Sequence, residues 1–356
     1  MNGFVRPHRT EGAGALSRAE CGASVELTVV MVVYRTGPAL RESIARVLAD
    51  PGVDEFVIID NGSTPEEEAL QDAAARQHKV VLKRGHGNVG FAAGANRGAA
   101  AACGRTLVFL NPDAFLQPGC IAQLKAGLVG QPSPCIVGAR VLNPDGTEQR
   151  GARRGEITPV TALLSLTRLS SRLHGFGLEK YEVHHETDPL AGGPEPVPTI
   201  SGACFAVPAA DFAALGGFDA SYFLHVEDVD LCWRARRSGG VVLFDAKAEV
   251  VHLGSTSQTA PIRVEYHKGV GLARYFRKRA DNTRRRVLAI TLTPAIIAVS
   301  VARALLNPRL RKATRPSAGP AAESVRDGAG SEARRPVGST GGVRPPRPKP
   351  SSAVAG

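Results

Sequence analysis

The chain has 356 residues, 43% of them hydrophobic and 22% charged, with a formal net charge of +11. That length fits about two domains, or one large α/β domain with tails, and the apolar content excludes a wholly disordered chain. The charge is uneven. Between Arg263 and Arg315, 14 Lys and Arg stand against Glu265 and Asp281, a net of +12; residues 316–356 add +3, which leaves −4 for residues 1–262. The basic quarter therefore calls for an acidic partner of its own, anionic lipid or nucleic acid.

Residues 1–24 read as a flexible leader without the apolar stretch of a signal peptide. Six cysteines (Cys21, Cys103, Cys120, Cys135, Cys204, Cys232) show neither CxxC nor metal-ligand spacing, and read as reduced thiols of a cytoplasmic protein. The run VELTVVMVVYRT (Val25–Thr36) is too continuously apolar for a strand with one wet face, so it predicts a central parallel strand. PALRESIARVLAD follows with helical spacing. EFVIIDNGS is a second buried strand that ends at Asp60.

Ser63 or Thr64, Pro65 and three glutamates then give the start of a helix. KVVLKR is a third strand, GFAAGANRGAAAAC a helix of small residues, and TLVFL a fourth strand. Strand and helix alternating at this spacing predict a doubly wound, mostly parallel α/β sheet. Past Gly119 the pattern loosens: CIAQLKAGLV reads as helix and CIVGARVLN as strand. TISGACFAVPAADFAALGGFD reads as strand, turn and short helix. EDVDLCWRARRSGG reads as a helix with a glycine stop, and VVLFDAKAEVVHLG as a strand pair ending at His252.

The uncharged segment Val287–Ala302 is shorter than the roughly 20 residues of a spanning helix, and Pro294 interrupts it. Arg284–Arg286 precede it and Arg303 follows. This pattern suits a helix lying in a membrane interface; a helix packed on the domain is the other reading. The expected organisation is a leader (1–24), a catalytic domain (25–262), a basic amphipathic membrane-associating helical segment (263–312) and a disordered tail (313–356).

Several strand ends carry chemistry. Strand one ends near Tyr34, strand two at Asp60, strand three at Gly87-Asn88 and strand four at Asn111-Pro112-Asp113. Such a set is the usual equipment of a turn. In a doubly wound sheet it also shares one crevice, where a carboxylate can hold a divalent metal and the metal a phosphate. RGHGNVG contains a formal GxGxxG (Gly85, Gly87, Gly90). It follows the third strand and not the first, and no strand-end acid follows about 20 residues on, which argues against a dinucleotide site. Glu227 and Asp228 open a predicted helix. They serve either as dipole-favourable acids or as a general base at a pocket.

With these segments assembled, the chain resembles the inverting family 2 glycosyltransferases of GT-A fold, in particular the bacterial rhamnosyltransferase branch that builds cell-surface polysaccharide. VVMVVYRT, VIIDNGS, GNVGFAAGANRG, LVFLNPDAFLQPG, SGACFAVPAADFAALGGFD, FLHVEDVDLCWRARRSGG and AEVVHLGSTS carry the resemblance across roughly residues 25–275. It implies a nucleotide-sugar donor, with L-rhamnose from dTDP-rhamnose as the expected sugar, and a lipid-linked or polysaccharide acceptor. It implies Mg²⁺ or Mn²⁺ at Asp113, with His252 as a further metal or diphosphate contact. Asn111 stands where the family motif opens on an aspartate. Val33 and Tyr34 would form the base pocket, Asp60 would meet base or ribose, and Asn88, Gly90 and Phe91 would line the donor. Asp228 would be the catalytic base with Glu227 beside it, and Trp233 and Arg234 would be structural or acceptor-facing and not catalytic. The expected location is the cytoplasmic face of the membrane, held peripherally through Arg263–Arg315, with no nucleic acid as partner. Two rival readings are a dinucleotide-dependent oxidoreductase on the glycine motif and an inactive membrane-docked scaffold.

Overall fold

The computed structural model describes residues 25–167, 183–254 and 256–306. The expected leader and tail lie outside them. In chain order the elements are β1 (Leu27–Val33), α1 (Ala39–Ala49), β2 (Glu55–Asp60), α2 (Pro65–Ala75), β3 (Val80–Lys83), α3 (Phe91–Ala101), β4 (Thr106–Leu110), β5 (Ala114–Leu116), α4 (Cys120–Gly127) and β6 (Cys135–Leu142). There follow β7 (Arg153–Arg154), α5 (Pro159–Thr167), β8 (Glu195–Pro196), β9 (Thr199–Ile200), β10 (Cys204–Pro208), α6 (Ala209–Ala214), α7 (Glu227–Arg237), β11 (Val241–His252), α8 (Pro261–Arg279) and α9 (Thr283–Leu306).

The main sheet runs β3-β2-β1-β4-β10-β6-β11-β5, with β8 added beside β11. Its first four strands are parallel. β10 is antiparallel to both β4 and β6, whereas β11 runs parallel to β6. The doubly wound, mostly parallel half predicted from sequence is therefore present, and a mixed half completes it. Every residue of β1 and β2 is buried, as continuous apolar strands covered on both faces must be. Phe109 of β4 packs against Phe205, Phe212 and Phe218, with ring centroids 4.9–5.2 Å apart. At α2 the cap is Thr64: its side chain accepts from the Glu67 amide while Glu67 accepts from the Thr64 amide, a reciprocal box ahead of Pro65.

Three expectations change. The segment Val241–Gly254 is not a strand pair. It holds one 12-residue strand, Val241–His252, bent by a register shift between Asp245 and Glu249. Cys103 is disulfide-bonded, whereas Cys120, Cys135, Cys204 and Cys232 are free and buried. The apolar segment around Pro294 belongs to one 24-residue helix that runs through the proline.

The small β7–β9 sheet sits directly on β6. A Cβ at Gly138 would lie 2.5 Å from Cβ of Ile200, so only glycine permits this approach. The contact places Arg154 and the turn after Ile200 under the start of α7. Gly138→Ala should cost about 1–3 kcal/mol through overpacking. Urea denaturation reads it, and an unchanged midpoint would show that the β9 segment gives way freely.

Candidate active site

A cavity of about 720 Å³ opens at the carboxyl ends of β1, β2 and β4 and is walled on its far side by α8 and α9. This is the crevice where a parallel sheet binds ligands. Tyr34, Asn88, Gly90, Phe91, Asn111, Asp113 and His252 all line it. Val33 does not. It is fully buried, and its neighbour Val32 lines the cavity, as alternation along a strand requires. Asp60 is also off the wall. One of its oxygens accepts from the amides of Gly62 and Ser63 at 2.9 Å each, and the other lies 3.6 Å from Arg84. Asn61 takes the lining position and donates to the Gly90 carbonyl at 3.0 Å.

Gly90 has a structural reason to be glycine. Its φ is +84°, and a Cβ there would stand 2.6 Å from the Phe223 carbonyl, which accepts from the Phe91 amide at 2.9 Å. The last glycine of the GxGxxG thus lets α3 meet the loop before α7.

The antiparallel register of β11 on β5 pairs His252 with Ala114 and so brings His252 beside Asp113. Asp113 Oδ1 lies 3.1 Å from His252 Nε2, and its Oδ2 accepts from Thr256 Oγ1 at 2.9 Å. Burial pushes the Asp113 carboxyl up, but the bond and charge of His252 and the Thr256 hydroxyl bring it below the usual range. Gln149 sets the histidine. Its amide nitrogen donates to the His252 and Asn143 oxygens at 3.1 and 3.3 Å, which leaves its Oε1 to accept from His252 Nδ1 at 2.7 Å. With Nδ1 bonded there, His252 presents Nε2 to the Asp113 carboxylate, and the Asn111 amide nitrogen lies 3.3 Å from that Nε2. A proton or a cation can join nitrogen and carboxylate at their 3.1 Å separation. A histidine fixed through its second nitrogen is the usual form of a metal ligand. No cluster of three or more His, Cys, Asp or Glu occurs among the described residues. Asp113 and His252 are residues that could supply two ligands to a cation, the remainder coming from phosphate and water.

Glu227 and Asp228 begin α7 but are not on the cavity wall; His225, just before them, is. The turn is strained: His225 and Val226 hold φ of 67° and 74°, a conformation that costs a β-branched residue most. Gly271 of α8 leaves it room, since a Cβ there would stand 3.1 Å from the His225 carbonyl. Asp228 Oδ2 pairs with Arg154 at 2.5 Å and accepts from the Gly202 amide at 3.1 Å. Burial raises its carboxyl, but the Arg154 charge and bond outweigh that and hold it ionised. Glu227 is the reverse. Burial, with Asp228 alongside, pushes it up to about 8, and its Oε2 has no hydrogen-bond partner. Arg234 is structural, bonding Asp230 at 2.7 Å and the Gly217 carbonyl at 2.8 Å, while Trp233 packs on Tyr275.

Sequence reasoning missed Arg154, Gln149 and Thr256. Arg154 and Gln149 lie in a stretch without a predicted element, and no local spacing ties them to partners 74 and 103 positions on. Thr256 lay within the quoted AEVVHLGSTS segment and could have been singled out as a hydroxyl just past a strand-end histidine.

The sequence profile of glycosyl transferase family 2 matches residues 28–194. An N-acetylglucosaminyl-diphospho-decaprenol L-rhamnosyltransferase of Mycobacterium tuberculosis is 30% identical over 242 residues, 64% of this chain and 75% of that protein. A low-salt glycan biosynthesis hexosyltransferase of Haloferax volcanii is 24% identical over 216 residues, 60% of this chain and 62% of that one. Among solved structures, GalNAc-T7 with UDP, GalNAc and Mn²⁺ aligns with a TM-score of 0.55 at 17% identity, a likeness of fold. The alignment covers 78% of this chain and 52% of that one, so this chain spans about half its length.

The two adjoining carboxyls differ in their effect on stability. Folded, Glu227 keeps its proton up to about 8; unfolded, it loses it near 4.5. The unfolded chain binds fewer protons across that window, so this group makes stability fall as pH rises through it. Asp228, with a lowered value, acts below the window and in the opposite sense. Thermal melts between pH 4.5 and 8 should therefore show a flatter decline for Glu227→Gln than for the wild type. Parallel profiles would mean that Glu227 ionises freely in the fold.

Proposed function

The chain belongs to glycosyl transferase family 2, and on that premise we propose that it is an inverting enzyme moving a sugar from a nucleoside-diphosphate donor to a hydroxyl of a lipid-linked or cell-surface glycan. The observation that carries this reading is the Asp113–Asn111–His252 cluster at the cavity mouth, with His252 oriented by Gln149. The mycobacterial relative is an L-rhamnosyltransferase by name, so dTDP-rhamnose is the donor proposed first.

Asp113 and His252 would hold Mg²⁺ or Mn²⁺. When bound, the cation neutralises charge on the departing diphosphate. The remaining roles fall to the chain. Tyr34, with its ring 5.6 Å from the Arg35 guanidinium, offers a stacking face for the base. Asn88 and Asn111 offer polar contacts to the donor. Asp228 takes the proton of the acceptor hydroxyl as that oxygen attacks the anomeric carbon and the bond to the diphosphate oxygen breaks. Arg154 keeps Asp228 ionised and aimed, and one carboxylate lone-pair direction remains for the incoming hydroxyl. A single displacement inverts the anomeric centre.

The oxidoreductase reading loses its ground. Gly90 is demanded by the Phe223 carbonyl and not by a pyrophosphate. The scaffold reading has against it an ionised Asp228 and a buried, oriented Asp113, neither of which a bare shell requires.

Donor turnover should vanish in Asp113→Ala with the fold intact, and Asp228→Asn should lose about 10²–10⁴-fold in rate while still binding nucleotide. A variant of either residue with near-normal turnover would remove that residue from the reaction. If Glu227→Gln is the crippled variant and Asp228→Asn is not, the base is Glu227.

The C-terminal helices support attachment to a membrane surface. α9 is long and apolar enough to cross a membrane, with hydropathy 1.9 and 22% of that stretch buried. One stripe (Ala289, Ile296, Ser300, Ala304) is buried, while Val287, Leu288 and Ile290 are exposed beside Arg284–Arg286. A seat in the interface keeps the packed stripe in place; a full span would strip it. Each Lys or Arg near an anionic surface adds about 1 kcal/mol. The full chain should sediment with phosphatidylglycerol vesicles, more weakly in high salt but still measurably. Truncation after Arg279 should release it while nucleotide binding persists. Preference for duplex DNA over vesicles would contradict this, and extraction only by detergent would mean that the helix spans.

A further inference from the structure

The far wall of the cavity has an excess of positive charge. Arg263 and Lys268 come from α8 and Arg303 from α9, while His267 beside them is held toward its neutral form by burial and by Arg263. Glu265 is the one acid those two helices bring to that wall. It lies 3.8 Å from Arg303, and its second oxygen is buried without a hydrogen bond. Lys268 has no ion pair or hydrogen bond among the described residues, although it is partly buried on the cavity wall. Its ammonium is held down to about 8, first by burial and then by Arg303, Arg154 and Arg150, against the pull of Glu265. The same field reaches the neighbourhood of the base. Burial first and Lys268 next hold His225 down to about 4. A half-buried ammonium without a partner, set in a positive field on a cavity wall, favours an anion beside it.

The donor does not supply that anion. Its diphosphate has groups of its own at the strand ends, where Asp113, Asn111 and His252 converge. The charge excess lies on the helices instead, and α9 carries more than Arg303. Leu305 and Leu306, directly after it, are 58% and 81% exposed. A cation beside two bare leucines, on the helix that carries the exposed apolar face, matches a ligand whose phosphate adjoins a hydrocarbon chain.

We propose that Lys268 and Arg303 form a second anion subsite, which holds the diphosphate of a lipid-linked acceptor and thereby sets its sugar hydroxyl toward Asp228. The acceptor then lies sugar-first: hydroxyl at the start of α7, diphosphate between α8 and α9, and chain out along Leu305 and Leu306. The subsite explains why a cavity at the carboxyl ends of the strands is closed by α8 and α9. This inference rests on the transferase reading, and its test has an arm that does not.

Farnesyl diphosphate is the probe, titrated calorimetrically into the full-length protein with dTDP and Mn²⁺ saturating. Loss of one charged contact predicts about 10- to 100-fold weaker binding in Lys268→Gln and in Arg303→Gln. Lys268→Arg should stay within a few-fold of the wild type, and farnesol should not compete. The affinity for dTDP, measured separately, should be the same in all four proteins. The catalytic arm uses dTDP-rhamnose with an alkyl-diphosphate N-acetylglucosamine and with octyl N-acetylglucosaminide. The kcat/KM preference for the diphosphate acceptor should collapse in the Gln variants. Farnesyl diphosphate bound equally by all, or displaced equally by farnesol, overturns the subsite. A parallel fall in dTDP affinity assigns the cations to the donor and overturns it as well. If no sugar nucleotide turns over but farnesyl diphosphate binding still depends on Lys268, the transferase reading fails and the anion subsite stands. Thermal midpoints check folding, and Arg303→Gln carries the test if Lys268→Gln does not fold.

Discussion

The site depends on one pairing, that of β11 with β5. Its register sets His252 against Ala114, which places an imidazole from the end of the last strand beside a carboxylate 139 positions earlier. The Leu253 amide donates to the Asp113 carbonyl at 3.1 Å and extends the same ladder past the strand end. A slip of one residue would turn His252 to the other face and leave Asp113 buried without its partner. Such a carboxyl would protonate, and the pair proposed to hold a cation would be lost. The bulge between Asp245 and Glu249 lets one strand serve both β6 and β5.

The second half of the site follows from helix packing. α8 lies against α9 through Gly269, where a Cβ would stand 3.0 Å from the Ile297 Cα. It lies against the strained turn before α7 through Gly271. These two glycines let one helix approach the turn before α7 and α9 together. Tyr275 and Phe276 anchor it beside Tyr222, Val226 and Val229. The strain at His225 and Val226 is therefore held by packing on one side and by the Phe223 backbone contact with α3 on the other. Residues long distant in sequence thus share one rigid corner.

Much of this was legible in the sequence. Continuous β-branched runs gave β1, β2 and β4, because strands covered on both faces carry no polar side. Asp113 stood out because a carboxylate closing a core strand is either a turn or a ligand, and the strand order puts it in a crevice. What escaped is what local pattern cannot hold. Val33 and Val32 exchange roles by strand alternation, and nothing in the run says which faces the cavity. Asp60 looked free to meet a ligand, yet the Gly62 and Ser63 amides capture it within its own turn. Arg154 and Gln149 act through bonds across the fold, and Lys268 reaches the cavity only because α8 packs there. The helical segment beginning near residue 263 showed its charge in the sequence, but not that part of that charge turns inward.

Donor diphosphate and divalent cation are proposed to meet at Asp113 and His252, and one binding experiment tests this directly. Mn²⁺ would be titrated into the protein with and without dTDP, followed by the paramagnetic resonance signal of free Mn²⁺, for wild type and His252→Ala. Two protein ligands predict weak binding of Mn²⁺ alone, much tighter binding with dTDP present, and loss of that gain in His252→Ala. Mn²⁺ affinity indifferent to dTDP, or unchanged by the loss of His252, would contradict the account.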